Sequence, residues 1–199
     1  MEFPLWVPRP VEETLSIYAK WAASYDADLA KAGYQTPARL ANALTQYVSA
    51  ATPILDFGCG TGLSGQALQH AGFVTCHGTD ISPEMLDIAQ GRGLYDKLWQ
   101  GAPGEMRNVM PGDYQVIIAT GVVSLGAAPP ETLSLLIDHL TPGGIVALSF
   151  NDPTIEIGTY DKVLNYELDA KRIEMLFREH GPHLSDKNMG SDVIVLKRL

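Results

Sequence analysis

The sequence predicts an α/β fold in which a mostly parallel sheet is covered by helices on both faces. Short apolar runs, such as residues 54–57 and 145–150, alternate with segments of helical periodicity, such as residues 63–71 and 131–140. This alternation is typical of parallel strands joined by helical crossovers. A glycine-rich stretch directly after the first apolar run supports the same fold, because a strand must turn sharply there to enter a helix.

The remaining elements follow from local patterns. Leu15, Tyr18, Ala22 and Tyr25 lie near helical spacing and predict a first helix over residues 11–30, after a proline-rich arm over residues 1–10. Strands are expected over residues 54–57, 73–79, 97–100, 114–120 and 145–150. Helices are expected over residues 37–48, 63–71, 83–91, 131–140 and 154–168. Strands near residues 173–177 and over 192–199 are expected to pair antiparallel at one edge of the sheet, joined through residues 181–190.

Charge and composition restrict the classes of function. The chain of 199 residues has 14 Lys and Arg against 23 Asp and Glu, a net charge of -9. Such a surface is repelled by phosphate backbones and anionic lipid, so nucleic acid and membranes are not expected partners. Cys59 and Cys76 lie in apolar or glycine-rich surroundings and resemble buried thiols of a reducing compartment. We expect a cytoplasmic protein, since no signal peptide is visible and the longest apolar run is too short for a membrane span.

The segment with the most functional information runs from Asp56 to Gly62 and reads D-F-G-C-G-T-G. Gly58, Gly60 and Gly62 allow a tight turn and close approach of a ligand to the backbone. The helix that follows offers free N–H groups and the positive end of its dipole. Asp80 ends the next predicted strand, where a carboxylate can accept hydrogen bonds from both hydroxyls of a ribose.

Two ligands fit this pattern. Residues 60–65 also read as G-x-G-x-x-G, the dinucleotide fingerprint. Three features favour S-adenosylmethionine instead. Asp56 lies two residues before the first glycine, Pro142-Gly143-Gly144 precedes a strand, and few residues follow that could form the second domain of a dehydrogenase.

With these motifs the sequence resembles the class I S-adenosylmethionine-dependent methyltransferases and is similar to the Williams–Beuren region methyltransferase-like family. The residues that carry the resemblance lie in four segments: Tyr18-x-x-Trp21-Ala22-x-x-Tyr25-Asp26, residues 55–62, residues 77–86, and residues 142–144.

The resemblance implies a Rossmann-like, doubly wound, seven-stranded sheet whose last strand is antiparallel. It also implies that Asp56 and the backbone from Gly58 through Cys59 and Gly60 to Gly62 hold the methionine end of the cofactor. Asp80 would hold the ribose, and Ile81 and Met85 would pack near the adenine. The first helix would form a lid in which Tyr18 and Trp21 lie beside the cofactor.

The sequence departs from the family where an acid often receives the adenine amino group. Ala102 stands in that neighbourhood, and its side chain accepts no hydrogen bond. Thr120-Gly121 ends the fourth strand, where a metal-dependent enzyme needs an acid, so no metal is expected. The N/D-P-P-Y/F loop of base-modifying enzymes is also absent there, which further disfavours nucleic acid. Asp152 follows the fifth strand and, with Tyr25, is a candidate for the acceptor pocket.

Methyl transfer from a sulfonium is a direct displacement with a neutral leaving group, so positioning can supply much of the acceleration. A base is needed only if the acceptor must lose a proton. No catalytic residue is therefore assigned. His77 is expected in the core, and His180 and His183 on a surface turn.

We therefore expect one methyltransferase domain over residues 1–199, with a helical lid over 1–50 and an α/β core over 51–199. It would act on a small molecule and release S-adenosylhomocysteine. A cofactor-binding protein without methyl transfer and a nicotinamide-dependent oxidoreductase are the alternatives. The sequence leaves the acceptor and the oligomeric state open.

Overall fold

A computed structural model describes residues 5–199, so the first four residues of the predicted arm and lid lie outside the described part. The described chain forms a seven-stranded sheet in the order β3-β2-β1-β4-β5-β7-β6. The strands are β1 (Ile54–Phe57), β2 (Cys76–Asp80), β3 (Lys97–Gln100), β4 (Val116–Ala119), β5 (Ile145–Asn151), β6 (Ile173–Leu184) and β7 (Met189–Arg198). The helices are α1 (Val11–Ala32), α2 (Thr36–Leu44), α3 (Leu63–His70), α4 (Pro83–Arg92), α5 (Thr132–His139), α6 (Asp152–Ile157) and α7 (Thr159–Asp169).

The predicted α/β class and the antiparallel last strand are confirmed. Strands β1 to β5 pair parallel with their neighbours, and β7 runs antiparallel between β5 and β6. The strand order reverses between β1 and β4, because β2 extends the sheet on one side of β1 and β4 on the other. Open sheets of this kind bind ligands in the crevice outside the carboxyl ends of the strands at such a reversal.

Alternate residues of the central strands fill two separate cores, one on each face of the sheet. Leu55 and Ile117 belong to the core that contains residues of α5 and α7. Ile54, Val116 and Ile118 belong to the core that contains residues of α2 and α3. All five side chains are at most 2% exposed. This period-two division follows from strand geometry and makes the sheet doubly wound.

The carboxyl-terminal fifty residues differ in detail from the prediction. The two late strands pair antiparallel as expected, but they continue to Leu184 and from Met189, so the turn between them is much shorter than residues 181–190. The single helix expected over residues 154–168 is two helices. Gly158, at φ +68°, ends α6 and precedes α7. The apolar pattern shows the helical period but not this break, which the left-handed glycine causes.

The aromatic side chains of helix α1 pack against residues of β6 and β7, the last two strands, and against the start of α3. Trp21 and Leu184 are buried in one cluster, against which Tyr18, Tyr25 and Tyr34 also pack. The rings of Trp21 and Tyr25 meet edge to face with centroids 4.6 Å apart, a favourable arrangement for aromatic pairs. The helix therefore lies across the end of the sheet where the glycine-rich loop is found. No helix of residues 5–199 has the length and apolarity needed to cross a bilayer.

Asp26 ties α1 to the glycine-rich loop and to α4. Its carboxylate accepts a hydrogen bond of 2.6 Å from the Thr61 hydroxyl, and it forms an ion pair with Arg92. Asp28, two residues further along, accepts hydrogen bonds from within α1, from Trp21 Nε1 and the Ser24 hydroxyl. The two carboxylates on the same helix therefore differ in whether they connect it to the rest of the fold.

We expect Asp26→Ala to loosen α1, because the variant removes both connections. Hydrogen bonds to a charged group contribute about 1.5–3 kcal/mol, less where solvent screens them, as it does for these half-buried partners. Amide exchange across residues 11–32 should accelerate roughly tenfold, which corresponds to about 1.4 kcal/mol. Asp28→Ala is the matched control. Equal exchange in the two variants would show that Asp26 does not anchor the helix.

Candidate functional site

A cavity of about 150 Å³ lies at the carboxyl ends of β1, β2 and β4, beneath α1. Nine of the residues that sequence analysis selected line it: Tyr18, Tyr25, Gly58, Gly60, Asp80, Ile81, Met85, Ala102 and Thr120. Strand ends that are distant in sequence thus bring the glycine-rich loop, the acid of β2 and the aromatic side chains of α1 to one place.

The glycine-rich loop folds back onto β2. The N–H groups of Gly58 and Cys59 both donate to the Thr79 carbonyl oxygen, at 2.8 and 3.0 Å. At Gly58, φ +73°, an added Cβ would lie 2.3 Å from Val122 Cγ2, so this glycine is required for packing. At Gly60, φ +53°, an added Cβ would meet no protein atom within 4 Å. Gly60 therefore leaves open the space beside the cavity that a side chain would take.

The Asp80 carboxylate connects two segments of the cavity wall. Its Oδ2 accepts from Gly60 N at 2.8 Å and its Oδ1 from Ser82 N at 2.9 Å. Burial raises the pKa of this carboxyl, and its backbone hydrogen bonds from Ser82, Gly60 and Ile81 oppose the rise. Each oxygen keeps lone-pair capacity for a ligand hydroxyl, so a diol in the cavity could hydrogen-bond to both.

Asp56 occupies a different position from the one that the resemblance implies. It does not line the cavity and is fully buried beneath the loop. Its Oδ2 accepts from the Ser64 hydroxyl at 2.5 Å and the Tyr95 hydroxyl at 2.7 Å. Burial raises its pKa to about 6, partly offset by these two hydrogen bonds. In this geometry Asp56 holds α3 and the residues after α4 against β1 through Oδ2. Its Oδ1 is buried without a partner among the described residues, and its contact with the cofactor stays a prediction.

Three further selected residues lie behind the cavity wall. Cys59 is buried and burial raises the pKa of its thiol, so it is an unreactive part of the loop. Gly62 precedes α3 and faces Arg92 and Tyr95, where an added Cβ would come within 3.2 and 3.3 Å. Trp21 supports Tyr25 from behind and lines a second cavity instead of the first.

Asp152 does not line either cavity. Its carboxylate turns to the β6–β7 hairpin, where Oδ2 accepts from Gly190 N at 2.6 Å and Oδ1 lies 3.7 Å from His180 Nε2. The preceding residue, Asn151, lines the second cavity. At a strand end successive side chains point in opposite directions, and the sequence does not show which one faces inward.

The second cavity, of about 80 Å³, adjoins the first beneath α1. The two cavities share five lining residues, namely Tyr18, Tyr25, Thr120, Gly121 and Ala127. Burial raises the pKa of Tyr18 to about 12 and also raises the pKa of Tyr25, so both hydroxyls are neutral at physiological pH. The shared wall is therefore aromatic, uncharged and continuous from one cavity to the other.

Several residues of the site were missed or misjudged from the sequence. Tyr34 lines the second cavity, and its hydroxyl lies 3.2 Å from the position of a Cβ on Gly121. His183 lines the same cavity and is 7% exposed, so its expected place on a surface turn is wrong. Its position inside the long strand β6 buries it. His77 is half-buried and bonds to the Tyr114 hydroxyl at 2.5 Å, away from both cavities.

Two buried hydroxyls in the first cavity have no hydrogen-bond partner among the described residues. They belong to Thr79, at the end of β2, and Thr120, after β4. An unpaired buried polar group costs free energy, so a ligand with polar atoms is the natural partner for this cavity. Residues 5–199 contain no group of three His, Cys, Asp or Glu side chains suited to hold a metal ion.

Comparison with known proteins assigns a class to this fold and site. Residues 55–146 match the model of a family described as "Methyltransferase domain". The human methyltransferase-like protein 27 is 35% identical over 162 residues, which cover 79% of this chain and 65% of that protein. The malonyl-[acyl-carrier protein] O-methyltransferase of Halalkalibacterium halodurans is 28% identical over 134 residues, covering 64% of this chain and 48% of that protein. The chain thus spans about half to two thirds of these relatives.

A shorter match is to the 18S rRNA (guanine-N(7))-methyltransferase of Bos taurus, 40% identical over 70 residues, or 35% of this chain and 25% of that protein. Among solved structures, a TehB-like SAM-dependent methyltransferase from Corynebacterium glutamicum superposes with a TM-score of 0.65 at 21% identity, covering 92% of this chain and 100% of that one. This likeness shows the fold.

The family match, the relatives and the likeness of fold support a class I S-adenosylmethionine-dependent methyltransferase. The cofactor that this class implies is S-adenosylmethionine. The narrower resemblance, to the Williams–Beuren region family, stays a prediction, and the names of the relatives leave the type of acceptor open.

The buried charge of Asp56 predicts a pH dependence of stability. A carboxyl whose folded pKa is raised from 3.8 to about 6 disfavours folding when ionised, and this penalty disappears as the pH falls from 6 to 4. The free energy of unfolding of Asp56→Asn, relative to wild type, should therefore rise by about 1–3 kcal/mol between pH 4 and pH 7. Urea unfolding at both pH values measures this. A pH-independent difference between the two proteins would contradict the assigned burial of the charge.

Gly60→Ala is expected to weaken binding of S-adenosylhomocysteine at least tenfold, because the new methyl group enters space that only a ligand would fill. Gly93→Ala is the matched control, since Gly93 has φ +63° and equally open surroundings but lies at the end of α4 outside the cavity. Both variants carry the same left-handed strain of about 1–2 kcal/mol. Calorimetric titration of both proteins separates the effect on binding from the effect on stability. Equal affinities would mean that the loop is only a turn.

Proposed function

We propose that this chain transfers the methyl group of S-adenosylmethionine to a small-molecule acceptor and releases S-adenosylhomocysteine. The single observation that carries the proposal is the pair of adjoining cavities. The first has the polar wall and open loop that suit the cofactor, and the second is smaller and takes four of its lining residues from α1. Their shared wall at Thr120 and Gly121 is where a donor and an acceptor would meet.

The residues present fit the cofactor. Asp80 keeps lone pairs that could accept hydrogen bonds from a ribose diol, and the absence of a side chain at Gly60 leaves room beside the loop backbone. Ile81 and Met85 offer an apolar surface to the adenine, with Ala102 close by on the same wall. The unpaired Thr79 and Thr120 hydroxyls supply two further polar contacts. Asp56 helps to hold the loop in position.

Bound S-adenosylmethionine supplies a methyl group on a positively charged sulfur. Tyr18 and Tyr25 line both cavities, and the faces of such rings attract a cation that has lost its water. Helix α1 covers the junction and excludes water, so an acceptor held in the second cavity is kept in line with the methyl group. We assign α1 as the lid of this single domain. Helix α2, which the sequence placed in the lid over residues 1–50, belongs to the core, because its apolar side chains pack with α3 against the sheet.

A small acceptor agrees better with the second cavity than a macromolecular one. The second cavity, of about 80 Å³, lies between α1 and the strand ends and is about half the size of the first, which favours a small acceptor. The chain carries a net charge of -9, which opposes approach of a nucleic acid. The match to the rRNA methyltransferase covers only 35% of this chain and 25% of that protein.

Calorimetry with S-adenosylmethionine and with NAD tests the cofactor assignment. We expect binding of the former only, and expect Asp80→Ala to weaken it by about 1.5–3 kcal/mol through loss of the ribose hydrogen bonds. Asp96→Ala is the control, because Asp96 also accepts a backbone N–H, from Cys76, but at the opposite end of β2. Unchanged affinity in a folded Asp80→Ala protein, or tighter binding of NAD, would overturn the assignment.

Turnover separates an enzyme from a protein that only binds the cofactor. Transfer of radiolabelled methyl groups to members of a metabolite library should yield at least one labelled small product. Binding of S-adenosylmethionine without transfer to any small molecule, RNA or protein would favour the alternative of a regulatory cofactor-binding protein.

A further inference from the structure

The second cavity has an unusual set of polar groups. None of the residues that line it, all within the described part of the chain, carries an ionised side chain. Its wall contains apolar and aromatic residues, small hydroxyls, one amide and one imidazole. The amide belongs to Asn151 and the imidazole to His183, and each residue is 7% exposed. Hydrogen bonds on the far side of each group fix which atom it turns to the cavity.

Asn151 is oriented by the start of α6. Its Oδ1 accepts from the backbone N–H of Thr154 at 3.1 Å and from the Thr154 hydroxyl at 2.6 Å. A backbone N–H can only donate, so the atom that faces it must be the amide oxygen. The Nδ2 group remains, and no described residue accepts a hydrogen bond from it. Asn151 is therefore a donor with a fixed direction.

His183 is oriented by a chain of hydrogen bonds that begins at Arg39. Arg39 Nη1 donates to Ser191 Oγ at 3.2 Å, and Ser191 Oγ lies 2.9 Å from Thr36 Oγ1. Thr36 Oγ1 in turn lies 2.8 Å from His183 Nδ1. Since a guanidinium cannot accept, Ser191 accepts there and has its own proton free for Thr36. Thr36 then donates its proton to Nδ1 of the imidazole.

The opposite direction of this chain is unfavourable. If His183 Nδ1 donated to Thr36, and Thr36 to Ser191, the Ser191 hydroxyl proton would have no acceptor among the described residues. Ser191 is 0% exposed, and a buried unpaired donor is costly. The favoured arrangement makes Nδ1 an acceptor and leaves the proton of the neutral ring on Nε2. The backbone holds the ring in place, since Gln35 N donates to the His183 carbonyl oxygen at 3.0 Å.

His183 stays uncharged in this setting. Burial lowers its pKa to about 4, Asp152 on α6 raises it, and Arg39 on α2 lowers it further. The Tyr34 ring meets the imidazole edge to face with centroids 5.2 Å apart and is itself neutral, because burial raises its pKa. A ring whose accessible nitrogen carries a proton and whose pKa is low does not serve as a general base at neutral pH.

We propose that His183 and Asn151 present two fixed N–H donors to the second cavity, and that the acceptor of the methyl group is an uncharged small molecule that offers them a carbonyl-type oxygen or an unprotonated nitrogen. The assignment of the cavity to the acceptor rests on the proposed function, whereas the state of the imidazole does not.

Nitrogen NMR of protein labelled with ¹⁵N-histidine tests the state of the imidazole without any substrate. The His183 signal is assigned by its loss in His183→Gln. We expect the Nε2–H tautomer in wild type from pH 5 to pH 8, retained in Thr36→Ser and shifted towards a tautomer mixture in Thr36→Val, which lacks the hydroxyl. An Nδ1–H tautomer, or an imidazolium at pH 6, in the wild-type protein would overturn the proposal even if methyl transfer is demonstrated.

Three small probes test the ligand class on the same signals, in the presence of S-adenosylhomocysteine. Acetamide should shift the His183 Nε2 resonance, with an affinity about fivefold lower in Thr36→Val than in Thr36→Ser. Acetate and ethylammonium should bind more weakly than acetamide, because no lining side chain offsets their charge. Stronger binding of either ion, or no response to acetamide, would overturn the proposed acceptor class. If His183 shows the Nε2–H tautomer but no compound is methylated, the result would refute the proposed function and leave the assignment of the imidazole unchanged.

Discussion

The double hydrogen bond of the Asp80 carboxylate is the interaction on which the first cavity depends. It joins the glycine-rich loop after β1, through Gly60, to the start of α4, through Ser82. The two segments belong to consecutive crossovers, and the loop is also held to β2 by the hydrogen bonds from Gly58 N and Cys59 N to the Thr79 carbonyl oxygen. A buried carboxylate that accepts two backbone N–H groups stabilises both segments at once. The same two oxygen atoms can still accept hydrogen bonds from the cavity side. One side chain therefore both forms part of the cavity wall and offers acceptors to a ligand.

The position of the glycine-rich loop is also limited by close packing against the end of the sheet. Gly58 packs so closely against Val122 that any side chain would displace the loop from the end of β4. Beneath the loop, Asp56 receives the hydroxyls of Ser64 and Tyr95, which positions the start of α3. The cost of burying this carboxyl shows in its raised pKa. The loop is thus held by packing on one side and by a buried polar group on the other, which leaves its backbone free to face the cavity.

The fold could be predicted from the sequence because strand and helix periods are local properties, and the alternation of the two determines a parallel sheet. Asp80 and the aromatic residues of α1 could be placed by the same reasoning, since strand ends and helix faces follow from these periods. Two positions differ from expectation, because Asp152 does not line either cavity and His183 is buried. Which of Asn151 and Asp152 faces inward depends on the exact end of β5, and the burial of His183 depends on the length of β6. Both are set by tertiary pairing with β7.

Asp56 illustrates a different limit. The motif places it correctly at the end of β1, yet motif and spacing cannot show that Ser64 and Tyr95 already use its oxygen. Tyr95 lies 39 residues further along the chain, beyond α4, and only the folded structure brings it there. Hydrogen-bond partners this distant in sequence decide whether a motif residue such as Asp56 contacts a ligand or supports the residues that do.

The two cavities are mechanically connected through α1. The helix contributes Tyr18 and Tyr25 to both cavities, and Asp26 on the same helix bonds to Thr61 in the glycine-rich loop and pairs with Arg92 at the end of α4. Helix α1, which lines the second cavity, is therefore linked through Asp26 to the glycine-rich loop that lines the first. A ligand that fixes the loop also fixes the helix, so occupation of the first cavity lowers the entropy cost of ordering the second. For a displacement reaction this order of events is favourable, because the acceptor then enters a cavity whose aromatic wall is already aligned with the methyl donor.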